Sequence, residues 1–300
     1  MMQLVQVKTE EMFWELLGLE SIVYANARLD RFPMHPQSAV ADRFLFGNPD
    51  EVFRYAHLLE LKNEYIGYAN AYHIYSGEPK FSLVLLPGYE QFYIEALALL
   101  ETLTAPENNH IALHINTVDT ELFKAAEQLD YQHSLNESRW QAALSLENHL
   151  EKDIENLSES LERLTKENIP IRAEYSALPT GYAVTEKEYE AFLGNEYYQN
   201  AEEYVIHLKP NNEIAGVLTW WVDETAKTAS LEAVATLPEF WRQGIMYRAI
   251  TDGLNKLKLR GFQYAYVSTG SENPARFLYQ KVGFQKLGEV YLFEKEVSHV

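Results

Sequence analysis

Leu231-Glu232-Ala233-Val234-Ala235-Thr236-Leu237-Pro238 opens the stretch of this 300-residue chain whose reading decides its fold, and Val282-Gly283-Phe284 closes it. The first seven residues read as a strand, which Pro238 ends because proline has no amide hydrogen to continue a ladder. A loop follows, Glu239-Phe240-Trp241-Arg242-Gln243-Gly244-Ile245-Met246, and leads into a helix. There Met246, Ala249, Ile250, Gly253, Leu254 and Leu257 recur at i, i+3, i+4 and i+7 spacing, which predicts one buried helical face. Gly261 stops this helix. Tyr264-Ala265-Tyr266-Val267 reads as a second strand, followed by Asn273-Pro274-Ala275-Arg276-Phe277-Leu278-Tyr279-Gln280-Lys281-Val282-Gly283-Phe284. A strand, a glycine-bearing turn and a helix N-terminus together make an anion site, because free backbone N–H groups and the helix dipole point at one place.

These motifs resemble the acyl-CoA-binding core of the GNAT superfamily of N-acyltransferases. In that family the strand runs into a loop of the form Gln/Arg-x-x-Gly-x-Gly/Ala, whose amides hold the pyrophosphate of coenzyme A. Here Gly244 takes the central glycine, Trp241 stands in the Gln/Arg slot with Arg242 one place later, and Met246 fills the last Gly/Ala slot. The family's downstream motif is Asn-x-x-Ala-x-x-Leu-Tyr-x-x-x-Gly-Phe. Ala275, Leu278, Tyr279, Gly283 and Phe284 sit in its register, while Asn273 lies one place closer to Tyr279 than usual.

The resemblance implies acetyl-CoA as cosubstrate and no metal. It implies cofactor contacts from Val234, Ala235 and Thr236, from the loop Trp241, Arg242, Gln243, Gly244, Ile245 and Met246, and from Asn273 and Arg276. A backbone amide at Val234 or a neighbour, where two strands splay apart, would face the thioester carbonyl. Tyr279 would protonate the departing thiolate. Glu232 stands four residues before Thr236, where some members carry a base; alternation places it on the face of Val234 and Thr236. An ion pair to a neighbouring strand is the competing reading for Glu232, as a helix cap before Pro274 is for Asn273.

Charge supports the same region independently. The chain carries 25 basic and 44 acidic residues, for a net charge of −19. Yet Arg242, Arg248, Lys256, Lys258, Arg260, Arg276, Lys281 and Lys286 are opposed, between 238 and 286, only by Glu239, Asp252 and Glu272. A polyanionic ligand favours such an island. The overall acidity argues against nucleic acid or an anionic membrane as partner, and no apolar run approaches the roughly 20 residues of a membrane span. Without cysteine there is no disulfide and no thiolate nucleophile. The N-terminus reads as strand then helix without a signal peptide's regions, so the expected compartment is cytoplasmic.

The first half reads as a faded copy of the second. Asn63-Glu64-Tyr65-Ile66-Gly67 echoes Asn212-Glu213-Ile214-Ala215-Gly216. The strand Phe81 to Leu86, closed by Pro87, echoes the one closed by Pro238; Ile111 to Asn116 and then Leu129-Asp130-Tyr131 echo Tyr264 to Val267 and then Val282-Gly283-Phe284. In the first copy Glu90 stands at the anion site, and Ala126, or Phe123 after a shift of register, replaces Tyr279; neither can donate a proton. Residues 148–168, with Leu150, Ile154, Leu157, Leu161 and Leu164, read as a helix near the boundary. Trp220 and Trp221 are expected in the core, and His35 or His114 could approach an acceptor.

The expectation is therefore an α/β (α+β) chain of two GNAT-like domains in tandem, 1–147 degenerate and 148–300 binding acetyl-CoA. Each is a mixed, mostly antiparallel sheet flanked by helices. The expected activity is N-acetyl transfer to a small, cationic amine acceptor by direct attack in a ternary complex. A non-catalytic acyl-CoA-binding module and a structural or interaction protein are the alternatives; the oligomer, monomer or homodimer, is open.

Overall fold

The computed structural model describes residues 1–26, 53–72, 79–104, 110–149, 159–179, 181, 183–194, 198, 200–209 and 211–297. His35 lies outside these residues. Two compact units emerge: residues 1–141, 270–272 and 287–300, and residues 142–269 and 273–286.

In chain order the first unit holds β1 (Met2–Gln6), α1 (Glu10–Asn26), β2 (Ala56–Leu61), β3 (Glu64–Tyr72), β4 (Lys80–Leu85), α2 (Tyr93–Thr104), β5 (His110–Asn116) and α3 (Thr120–Gln128). β6 (Gln132–Ser145) follows. The second unit holds β7 (Glu159–Arg163), α4 (Ile169–Glu174), α5 (Glu186–Leu193), β8 (Ala201–Leu208), β9 (Ile214–Asp223), β10 (Thr228–Thr236), α6 (Ile245–Leu259), β11 (Tyr264–Gly270) and α7 (Ala275–Val282). The last strand, β12 (Gln285–Glu296), belongs mostly to the first unit, where Val290–Glu296 pairs antiparallel with β5.

Both units share one plan. β1 to β4 pair antiparallel in succession and β4 pairs parallel with β5. Likewise β7 to β10 pair antiparallel in succession and β10 pairs parallel with β11. Each is a mixed, mostly antiparallel sheet flanked by helices.

The duplication extends to single atoms. Gly67 lies opposite Leu85 and Gly216 opposite Thr236. A Cβ on Gly67 would stand 2.3 Å from the Val84 carbonyl oxygen, and one on Gly216 would stand 2.2 Å from that of Ala235. Both glycines thus permit the same close approach of two backbones. After α3 the Tyr131 amide donates to the Ala126 carbonyl at 3.0 Å, as after α7 the Phe284 amide donates to Tyr279 at 3.0 Å. This register makes Ala126, not Phe123, the counterpart of Tyr279.

The first unit's core packs Phe81, Leu83, Leu85, Leu97, Leu100 and Leu113 with Phe293 of β12. Fully burying one such side chain stabilises by about 1.5–3 kcal/mol. Trp220 and Trp221 are both buried, as expected. Trp220 lies against Gly253 of α6, where a Cβ would meet the indole nitrogen at 2.3 Å. Among the described residues no helix is long and apolar enough to cross a membrane.

The helix expected across 148–168 is corrected. Residues 150–158 lie outside the described set, and 159–163 form β7, paired with β8 from Glu159 opposite Leu208 to Arg163 opposite Tyr204. The leucine spacing favours a helix locally, but the outer edge of β8 offers backbone partners that outweigh that preference.

Candidate active site

α6 begins where Gly244 adopts φ +76°, and ends in Arg260 followed by Gly261 at φ +81°. Phe262 donates to the Leu257 carbonyl at 3.1 Å and Gly261 to that of Lys258 at 2.9 Å, the paired bonds of a Schellman motif. Between these ends Met246, Ala249, Ile250, Gly253, Leu254 and Leu257 are all buried, the face that the spacing predicts.

The loop before α6 is held by its own side chains. A 3₁₀ turn spans Pro238–Phe240. The Trp241 indole donates to the Thr236 carbonyl at 2.7 Å, and the Gln243 side-chain amide donates to the Glu239 carbonyl at 3.0 Å. Trp241 is 63% exposed, so it turns outward, while Met246 is 6% exposed and joins the core. Gly244 supplies no side-chain cap, and the first intrahelical bond of the helix goes from Arg248 to Gly244. The amides entering α6 therefore present an uncapped, positively polarised end.

β10 carries a bulge. Leu231 lies opposite Trp220 and Val234 opposite Leu218, so Glu232 and Ala233 together face Thr219, and Ala233 takes φ +65°. Pairing of β10 with β11 runs from Thr228 to Leu231 opposite Tyr264 to Val267, whereas β11 itself continues to Gly270. The two parallel strands thus pair along their first residues, and the bulge follows where that register ends. Val234, Ala235 and Thr236, beyond it, are half-buried.

Glu232 is exposed. That corrects the expectation that strand alternation places Glu232 on the face of Val234 and Thr236. The extra residue breaks the alternation on which a shared face with Val234 and Thr236 depended.

Tyr279 is buried on α7, its ring 6.1 Å from that of Phe284 in an edge-to-face arrangement. Burial pushes its phenol up to about 12. Gly283 then takes φ +131°, which ends the helix. The Asn273 side chain accepts from the Ala275 amide at 2.9 Å, the bond of a cap. Arg276 lies over the exposed Phe277 ring at 5.0 Å.

The basic island is smaller than the sequence count. Arg248 pairs with Glu159, Lys256 with Asp252, and Arg260 with Glu202 and Glu224. Three of those partners come from outside residues 238–286, which linear counting misses. Arg242, exposed in the loop at φ +63°, has no ion-pair partner among the described residues.

The first copy differs at the corresponding loop. The Gly88 amide donates to the Glu90 carboxylate at 2.9 Å, so a side chain of the protein supplies the negative charge there. His114 is buried on β5.

Elsewhere in the second unit a cavity of about 130 Å³ is lined by Arg163, Leu164, Leu193, Tyr198, Ala201 and Glu203. Glu203 is bound by Arg172 through Nε at 3.0 Å and Nη2 at 3.3 Å. Sequence reasoning missed this pair and the Arg248–Glu159 pair, because their partners lie far apart along the chain.

Residues 169–284 match the model of the acetyltransferase (GNAT) family. No curated protein matches the chain. The chain is similar to a tandem GNAT protein from the clavulanic acid biosynthesis pathway (TM-score 0.68, 12% identity, 100% of this chain and 99% of that one). It is also similar to a GNAT-family acetyltransferase from Colwellia psychrerythraea (TM-score 0.62, 14% identity, 97% and 99%). A GCN5-related N-acetyltransferase from Sphaerobacter thermophilus aligns at TM-score 0.60 and 14% identity, over 82% of each chain. At such identities the likeness speaks for the fold, which is that of GNAT proteins along the chain.

Proposed function

We propose that the second unit transfers the acetyl group of acetyl-CoA to the amine of a small acceptor. The observation that carries this reading is the uncapped start of α6 at Gly244, beside the end of β10–β11 pairing, with Trp241 turned outward. A pyrophosphate fits the amides of Gly244, Ile245 and Met246, with Arg242 as the nearby cation and Gln243 and Trp241 holding the loop's shape. Val234, Ala235 and Thr236 offer backbone donors and acceptors to the pantetheine arm, and the Val234 region polarises the thioester carbonyl. Asn273 and Arg276 border the same cosubstrate.

In the step itself the amine nitrogen bonds to the carbonyl carbon, the carbon–sulfur bond breaks, and the sulfur leaves with its electron pair. Tyr279, still protonated near neutral pH because burial raises its pKa to about 12, donates a proton to that sulfur. Glu232, exposed and able to reach solvent, is the candidate that takes the ammonium proton, directly or through water. The match of residues 169–284 to the GNAT family model supports the acyl-transferring class; acetyl-CoA, the amine and these roles complete the proposal.

Met246, in a slot usually held by glycine or alanine, favours a second reading in which the unit binds acyl-CoA without turnover. Titration calorimetry with acetyl-CoA tests the common part: binding competed by coenzyme A is expected, and absence of heat at millimolar ligand refutes both readings. Thiol release over a panel of small amines then separates them. Turnover above the hydrolytic background supports the transferase, and none with any amine favours the binding module.

A further inference from the structure

We propose that Glu159, acting through Arg248, is a positioning residue for the phosphate-holding loop, an inference that rests on the acyl-CoA reading above. Glu159 sits on β7 with no exposed surface, and its carboxylate takes two bonds from Arg248, from Nε and from Nη2, the latter at 3.1 Å. The remaining nitrogen, Nη1, donates to the Gln243 carbonyl at 3.2 Å. One guanidinium thus ties a buried carboxylate to the loop peptide just before Gly244.

Peptide planarity gives this tie its consequence. In a trans peptide the carbonyl and the following N–H point in opposite directions. Holding the Gln243 carbonyl on Arg248 aims the Gly244 N–H away from the guanidinium, and that amide is the first of those at the start of α6. The tie also holds strain in place. Arg242 and Gly244 both have positive φ, +63° and +76°, and a non-glycine residue keeps such a conformation only where its surroundings impose it. Trp241 and Gln243 hold the loop's first half through Thr236 and Glu239, and Arg248 holds the half that carries the amides. The guanidinium fills the space beside Gly244, where a Cβ would lie 3.0 Å from Nη1.

The charge of Arg248 is matched by Glu159, so its part is to fix the loop's shape; Arg242, in the loop itself and without an ion-pair partner among the described residues, is a cation available to phosphate. A lysine at position 248 has one ammonium and no planar fork, and it cannot hold the carboxylate and the carbonyl in the same geometry.

The test uses the full chain as wild type, Arg248→Met, Arg248→Lys and the double variant Glu159→Gln/Arg248→Met, with coenzyme A titration and thermal melting on each. Arg248→Met alone removes the bidentate cationic partner of a buried carboxylate, so both Tm and affinity fall. The double variant removes that carboxylate's charge and regains most of the Tm, while its coenzyme A affinity stays about tenfold below wild type. Arg248→Lys weakens binding by at least threefold. If affinity returns together with Tm in the double variant, or Arg248→Lys binds as wild type, the positioning role is overturned and the pair is only structural. If wild type itself binds no coenzyme A, the acyl-CoA reading fails first and the positioning role falls with it.

Discussion

Gly216→Ala is a perturbation whose size can be worked from the fold, and Gly67→Ala supplies its control within the same chain. The new methyl on residue 216 would stand 2.2 Å from the Ala235 carbonyl oxygen and 3.1 Å from the Thr236 Cα. Carbon–oxygen contacts of this kind settle near 3.3–3.6 Å, so β9 and β10 must part locally by about 1 Å. Overpacking of this order costs about 1–3 kcal/mol, offset by about 0.4–1 kcal/mol because alanine restricts the unfolded chain. For a unit of this size each kcal/mol shifts Tm by about 2–4 °C, so a loss of several degrees is expected. Residue 67 meets the Val84 oxygen at 2.3 Å, so its alanine variant should show a loss of the same order in the first unit.

The two variants should differ in binding. Ala235 and Thr236 lie on the segment of β10 proposed to contact the pantetheine arm. A 1 Å displacement takes a hydrogen bond from about 2.9 Å to beyond effective range. Losing one or two such bonds at about 1 kcal/mol each weakens acetyl-CoA binding roughly tenfold. Calorimetric melting and acetyl-CoA titration of both variants are the assay. Wild-type affinity in Gly216→Ala would refute the idea that β9 sets the position of this segment. An equal loss of affinity in Gly67→Ala would refute the division of labour between the copies.

Tyr279→Phe keeps the ring beside Phe284 and should leave coenzyme A affinity within about twofold while turnover falls by about 10²–10⁴, the usual worth of a general acid; equal loss of both reassigns Tyr279 to packing. Because burial holds that phenol near 12, a pH–rate profile should show no loss from this group below about pH 11. His57, buried on β2 with its pKa lowered to about 4 by desolvation, stays neutral in the folded state while the unfolded chain takes up a proton below 6.5. Stability should therefore fall as pH drops from about 6.5 to 4, by up to about 3 kcal/mol from this residue, and His57→Leu should flatten urea midpoints measured across that window. Arg172→Met should cost about 3–5 kcal/mol in denaturant unfolding by stranding the buried Glu203 carboxylate, and adding Glu203→Gln should recover most of it.

What could be read from residues alone was what depends on near neighbours. The face of α6, its glycine stop and the burial of Trp220 and Trp221 all follow from local periodicity and turn chemistry. The duplication was legible because matching glycines and turns persist. Lys62 and Asn63 take positive φ in one copy's turn, and Asn212 does so in the other. Residues 159–163 were misread because their leucine spacing suits a helix, whereas their conformation is set by the edge of β8, far along the chain. The bulge at Ala233 was hidden for a similar reason: nothing in Leu-Glu-Ala-Val-Ala announces an inserted residue, and it breaks the alternation that would put Glu232 on the face of Val234 and Thr236. Arg248 looked like one more cation on a helix until Glu159 came beside it.

The place of β12 bears on how the protein is made. Phe293 belongs to the core of the first unit, and Val290–Glu296 lines the open side of β5. A ribosome releases residues 1–141 well before it has joined residue 290 to the chain. The earlier-born unit thus waits, one sheet edge bare, for a segment made at the end of synthesis, and its maturation is timed by the later half. Severing the gene between the copies would leave that edge without its strand, so co-expressed halves should assemble only when the second fragment carries residues 287–297.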